Sequence, residues 1–139
     1  MMKKLFFVPL FSVSLLWCTP HTKGITGQTD TRVVLRADTL NTVKLTDTLL
    51  INESTCRGCV FQETTHFAVV DSMGLIKLLD VITEDRNSPE VNGGSVYKGV
   101  VLLPLKTGTT TFKLYKFWKQ ETAAEDSANF ISYRVTVKN

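Results

Sequence analysis

The chain has 139 residues, 43% of them hydrophobic and 21% charged, with a formal net charge of +3 and only two histidines. That length suits one domain with a single core and excludes an array of several. Lys3 and Lys4 supply two of the 16 basic residues, so the rest is nearly neutral, 14 basic against 13 acidic, and no Lys/Arg block remains as the footprint of a nucleic-acid partner.

In chain order, the first element is the apolar run Leu5–Trp17 behind the two lysines, the layout of a secretory signal. It is too short to cross the roughly 30 Å hydrocarbon core as a helix, and Pro9 does not suit a helix interior. Residues 1–17 are therefore expected to be a signal sequence that exports the protein. Cys18 follows where a bacterial lipoprotein is cleaved and acylated. Leu15 stands three residues before it, as is usual there, while Trp17 occupies a place that normally holds a small residue. No small-x-small cleavage site offers an alternative. The expectation is a lipid on Cys18, which would hold the protein to a membrane of the bacterial cell envelope, facing the periplasm or the exterior. Residues 18–30 are polar, with two glycines and a proline, and read as a flexible tether.

Residues 31–139 form the domain. Thr31–Ala37, Asp47–Asn52, Val60–Glu63, Phe67–Val70, Val96–Leu105, Thr109–Trp118 and Phe130–Lys138 are short runs rich in Val, Thr, Leu and aromatics, separated by polar or glycine-containing breaks. Two alternate clearly. Phe112 and Leu114 share one face, and Ile131, Tyr133, Val135 and Val137 share another, opposite Ser132, Arg134, Thr136 and Lys138. A period of two with one apolar face marks a half-buried antiparallel strand. Gly74–Asp80 is ambiguous between a strand edge and a helical turn, and Glu121–Asn129 reads as a polar turn with room for one helical turn. The fold class that follows is all-β, an immunoglobulin-like antiparallel β-sandwich of about seven strands.

Chemistry is sparse. His21 lies in the tether and His66 at a strand start, and neither has a partner at metal-ligand spacing, so no metal, cofactor or catalytic residue is expected. No phosphate-cradling glycine pattern or nucleophile elbow occurs. Cys56-Arg57-Gly58-Cys59 has the spacing of a redox motif, but such motifs open a helix, whereas this one follows a strand. The pair reads instead as a structural disulfide that stiffens a loop tip in an oxidising compartment. Asn52-Glu53-Ser54 fits a glycosylation acceptor by coincidence in a chain with a bacterial leader. On their own, Gly93-Gly94 is a tight turn and Trp118 an aromatic at a strand end.

Taken together, three segments carry a resemblance. They are Asn52-Glu53-Ser54-Thr55-Cys56-Arg57-Gly58, the Gly93-Gly94 turn before Val96–Leu105, and Lys116-Phe117-Trp118 at the end of Thr109–Trp118. In this order the domain resembles the chagasin family of immunoglobulin-like inhibitors of papain-type cysteine proteases. That family carries an Asn-Pro-Thr-Thr-Gly loop, a glycine-rich loop and an Arg-Pro-Trp loop. Here the first segment keeps an Asn, a Thr and a Gly without the proline, and the third keeps the Trp without Arg-Pro.

The resemblance implies that the three loops form a wedge filling a protease cleft. Thr55–Gly58 would lie over the protease's catalytic cysteine, with Gly93-Gly94 and Trp118 on opposite sides. The expected protease-binding residues are thus Asn52, Ser54, Thr55, Arg57, Gly58, Gly93, Gly94, Lys116, Phe117 and Trp118. The expected function is an exported, lipid-anchored inhibitor that occludes a papain-like cysteine protease and is not itself an enzyme. The competing reading is an Ig-like cell-surface module that binds protein or glycan through the same loops.

Overall fold

A computed structural model describes residues 30–120 and 124–139. The signal sequence 1–17, Cys18 and all of the tether but Asp30 lie outside the described residues.

Eight strands form two four-stranded sheets. They are β1 (Val33–Val34), β2 (Leu40–Lys44), β3 (Leu49–Cys56), β4 (His66–Val70), β5 (Ile76–Glu84), β6 (Ser95–Pro104), β7 (Gly108–Phe117) and β8 (Phe130–Lys138). A single helical turn, α1 (Ala124–Ser127), lies between β7 and β8. One sheet has the order β1-β3-β6-β5 and the other β2-β8-β7-β4. This is a β-sandwich, with one strand more than the sequence predicts.

Two observed strands stand outside the seven predicted runs, and one of those runs, Val60–Glu63, forms none; β5 falls on the ambiguous segment, and the wholly unpredicted strand is β2. Of its five residues only Val43 is buried, so its sequence shows no alternation to read. Backbone pairing with Arg134–Lys138 holds it instead, and the Asn41 amide donates to the carbonyls of Arg36 and Arg134. The predicted first strand shrinks to Val33–Val34 because the chain then leaves β3 and crosses to the other sheet. Both N-terminal strands pair parallel, β1 with β3 and β2 with β8, which corrects the purely antiparallel expectation.

The core fills the space between the sheets. Leu49 and Ile51 of β3, with Val100 and Leu102 of β6, meet Phe112 and Leu114 of β7 and Tyr133, Val135 and Val137 of β8. These positions repeat every second residue, as a strand with one buried face requires. Ile131 lies at the margin of that face and stays exposed. The ambiguous segment is resolved as β5, an edge strand with a bulge between Leu78 and Asp80. Ile76, Leu78 and Val81 all reach the core, a phase change the bulge makes possible. The extra residue hides the period of two.

Two further expectations are corrected near Cys56. Strand β3 does not end at Asn52 but runs to Cys56, pairing residue by residue with β6 as far as Ser95. Val60–Glu63 is not a strand. The Phe61 carbonyl accepts from both the N–H and the hydroxyl of Thr65, and the Cys59 carbonyl accepts from the N–H of Gln62, which coils the segment into turns.

Candidate functional site

Strand direction brings three connections to one end of the sandwich. They are residues 57–65 after β3, 85–94 before β6 and, after β7, 118–120 and 124–129. They are the segments that hold Gly58, Gly93-Gly94 and Trp118, far apart in sequence.

Arg57 is the cross-link between the first two. Its backbone N–H donates to the Gly94 carbonyl at 3.0 Å. Its guanidinium donates to Asp85 at 2.6 Å, to the Ser88 carbonyl at 3.4 Å and to the Val91 carbonyl. The side chain is only 18% exposed. Asp85 also accepts from the side chain and backbone N–H of Asn87, and these bonds together with Arg57 hold its carboxyl below the usual range. Asp85 is therefore ionised at neutral pH and matches the charge of Arg57. The Asn87 amide in turn donates to the Ser95 carbonyl at 2.7 Å.

Gly58, Gly93 and Gly94 have φ of 72°, 81° and 93°. These are left-handed conformations that a Cβ disfavours, and they let the first two connections turn sharply where they meet. Cys56 and Cys59 are bonded, with their Cα atoms 5.7 Å apart, so a covalent ring closes the tip of the first loop.

The third connection docks on the other side of the first. The Trp118 carbonyl accepts the Thr64 hydroxyl at 2.5 Å, and the Trp118 ring lies 6.2 Å from that of Phe61. Lys116 sits 4.7 Å over the Trp118 ring and donates to Glu53 and to the Ser54 carbonyl. The Trp118 backbone N–H donates to Asp126, a buried residue of α1. The indole is thus half-buried, with Phe61 and Lys116 against its ring and the backbone on both sides of it bonded.

The sequence-predicted residues divide accordingly. Arg57, Gly58, Gly93, Gly94, Lys116 and Trp118 gather at this end. Asn52, Ser54 and Thr55 lie on β3 and not in a loop, because that strand continues its pairing with β6. Asn52 accepts the Tyr97 hydroxyl on the outer face of its sheet, and Thr55 is buried, its hydroxyl 2.8 Å from that of Thr65. Phe117 lies on the outer face of its sheet, opposite Phe112 and Leu114, and is only 8% exposed because it stacks on His66 at 5.1 Å and on Tyr115 at 6.0 Å.

Sequence reasoning missed Val60, Phe61 and Asp85. The first two lay in a run read as strand, and the role of Asp85 depends on Arg57 across two loops. Among the described residues no group of three or more His, Cys, Asp or Glu could hold a metal ion. A concavity of about 700 Å³ lies on the outer face of the first sheet, lined by the charged Arg32, Asp80, Glu84 and Arg86 together with Ile82 and Val101. It is not part of the loop end, which protrudes.

No protein-family model matches the chain, and no curated protein matches it. Solved structures do. The chain is similar to the crystal structure of the cysteine protease inhibitor EhICP2 from Entamoeba histolytica, with a TM-score of 0.51 and 18% identity over 76% of this chain and 95% of that one. It is similar to the solution structure of amebosin, with a TM-score of 0.51 and 18% identity over 77% and 98%. At this identity the likeness is one of fold, and it agrees with the Ig-like sandwich that the resemblance to the chagasin family implies.

Proposed function

We propose that the protein inhibits papain-like cysteine proteases by laying its three-loop end into the active-site cleft. The observation that carries this reading is the convergence of the loops. Arg57, Gly58, Gly93-Gly94 and Trp118 meet in one cross-linked ridge, on a fold shared with a solved cysteine protease inhibitor. A ridge held by a disulfide, an ion pair and hydrogen bonds between loops is already ordered. Docking it costs little conformational entropy, which favours tight occlusion. The protein needs no chemistry of its own for this. Gly58 is open to close backbone approach, and the half-buried Trp118 is the kind of rigid aromatic that anchors interfaces.

We further propose that the protein is exported and held by a lipid on Cys18. Val33 pairs with Leu49 and Lys138 with Lys44, so the chain enters and leaves the sandwich at the end opposite the loops. An anchor on the entering side would leave the ridge pointing away from the membrane. Residues 18–30 span at most about 45 Å when fully extended. The resulting reading is a membrane-held inhibitor of the cell envelope whose partner protease meets the ridge from the solvent side.

The test is titration of papain and of cathepsin-like proteases with the purified protein. The expected result is reversible, competitive loss of peptide hydrolysis with the inhibitor chain left uncut. Full protease activity at micromolar inhibitor would overturn the reading.

A further inference from the structure

The most exposed large hydrophobic side chain at the loop end belongs to Val60. It is 79% exposed, more than any other large hydrophobic side chain among the described residues. A single exposed valine on a mobile surface needs no explanation, but this one is held in place from both sides. The disulfide closes the chain just before it. The Gly58 N–H donates to the Gln62 side chain, and the Gln62 N–H to the Cys59 carbonyl. Phe61, the next residue, is fixed by its carbonyl to Thr65 and by its ring against Trp118.

The chain immediately around Val60 is also free of charge. Residues 58–62 are Gly, Cys, Val, Phe and Gln, and Arg57 is turned inward onto Asp85. A charged tip would have to shed its hydration to enter an apolar pocket, at a large cost. Residues 58–62 carry none, and the first exposed charge after them is Glu63. Valine is β-branched and stiff at χ1, so burying its side chain sacrifices little rotamer freedom.

We infer that Val60 is the specificity-determining residue of the inhibitor, and that it fills an apolar side-chain pocket in the cleft of the target protease. The inference rests on the inhibitor reading above and adds to it a class of target. The preferred proteases are those whose cleft pocket accepts aliphatic substrate side chains. Proteases with a carboxylate at the base of that pocket are disfavoured.

The experiment compares the purified full-length protein with Val60→Asp and Val60→Arg against two papain-like proteases, one with an apolar pocket and one with an acidic pocket. The wild type is expected to favour the apolar-pocket enzyme. Val60→Asp should weaken inhibition of that enzyme by about 100-fold, and Val60→Arg should shift preference toward the acidic-pocket enzyme by at least about 10-fold. Because the side chain touches solvent, thermal unfolding of both variants should match the wild type. If the wild type inhibits and both variants leave the selectivity unchanged, Val60 does not read the pocket and the inference falls alone. If the wild type inhibits neither enzyme, the inhibitor reading falls and takes the inference with it.

Discussion

The two ends of the sandwich are closed by similar means for different ends. At the loop end, Asp85 accepts from Asn87 and Arg57 and ties together segments that stand in solvent. At the opposite end, Asp71 accepts the N–H groups of Met73, Leu75 and Ile76 and the hydroxyl of Thr110. That carboxylate turns the chain from β4 into β5 directly beside the buried Leu75 and Ile76. One carboxylate shapes an exposed ridge, and the other fastens a corner to the core. Binding and stability should therefore be separable by position along the sandwich axis.

The largest effect tests the core between the two ends. Phe112 is fully buried and stacks on Tyr133 at 5.4 Å. Phe112→Ala should cost about 3–5 kcal/mol of stability, read from denaturant unfolding. Next comes a change confined to the ridge. Trp118→Ala should weaken protease inhibition by about 2 kcal/mol or more, as truncation of an interface anchor does. Its unfolding transition should move far less than that of Phe112→Ala. A Trp118→Ala variant that unfolds early yet inhibits normally would erase the distinction between the ends.

The disulfide is the third test. The Cys56→Ser/Cys59→Ser double variant loses a ring with a sequence separation of only 3 residues. So short a ring restricts the unfolded chain little, and the stability loss should be at most about 2 kcal/mol. The loop would still keep Arg57 on Asp85 and Thr64 on the Trp118 carbonyl. Inhibition should therefore weaken by less than in Trp118→Ala, and inhibition constants of the two variants decide the order.

How much of this was legible in the sequence depended on whether the signal was local. Strand β8 was placed with its observed ends because Tyr133, Val135 and Val137 alternate without interruption. Strand β2 was missed because it buries one side chain, and β5 was blurred by its bulge. At the site, glycines that need positive φ and a tryptophan at a strand end were visible as residues. The bonding of Arg57 to Asp85 and Val91 was not, since it joins loops about thirty positions apart. Val60-Phe61 misled for a physical reason. Valine beside phenylalanine favours a strand, but hydrogen bonds from Gln62 and Thr65 and the neighbouring disulfide override that preference.

The smallest effect sharpens the comparison by pH. Burial works against the charge on Asp71, but the bonds from Thr110, Ile76, Met73 and Leu75 outweigh it and hold the carboxyl below its ordinary value of 3.8. The unfolded chain titrates this group near that ordinary value. A depressed folded value means that the carboxylate's contribution is fully present above that pH. It is lost as pH falls through the lower, folded value, because the folded state must then take up a proton at a site built for the anion. Asp71→Asn keeps the shape but cannot accept the same set of charge-assisted bonds. It should cost about 1 kcal/mol at neutral pH, with the gap to the wild type closing as the medium becomes strongly acidic. Unfolding midpoints at neutral pH and below pH ~3 give the two points needed. Inhibition at neutral pH should not change, because Asp71 lies at the end away from the ridge. A constant gap across that range would mean that the Asp71 carboxylate does not fasten the corner through its charge.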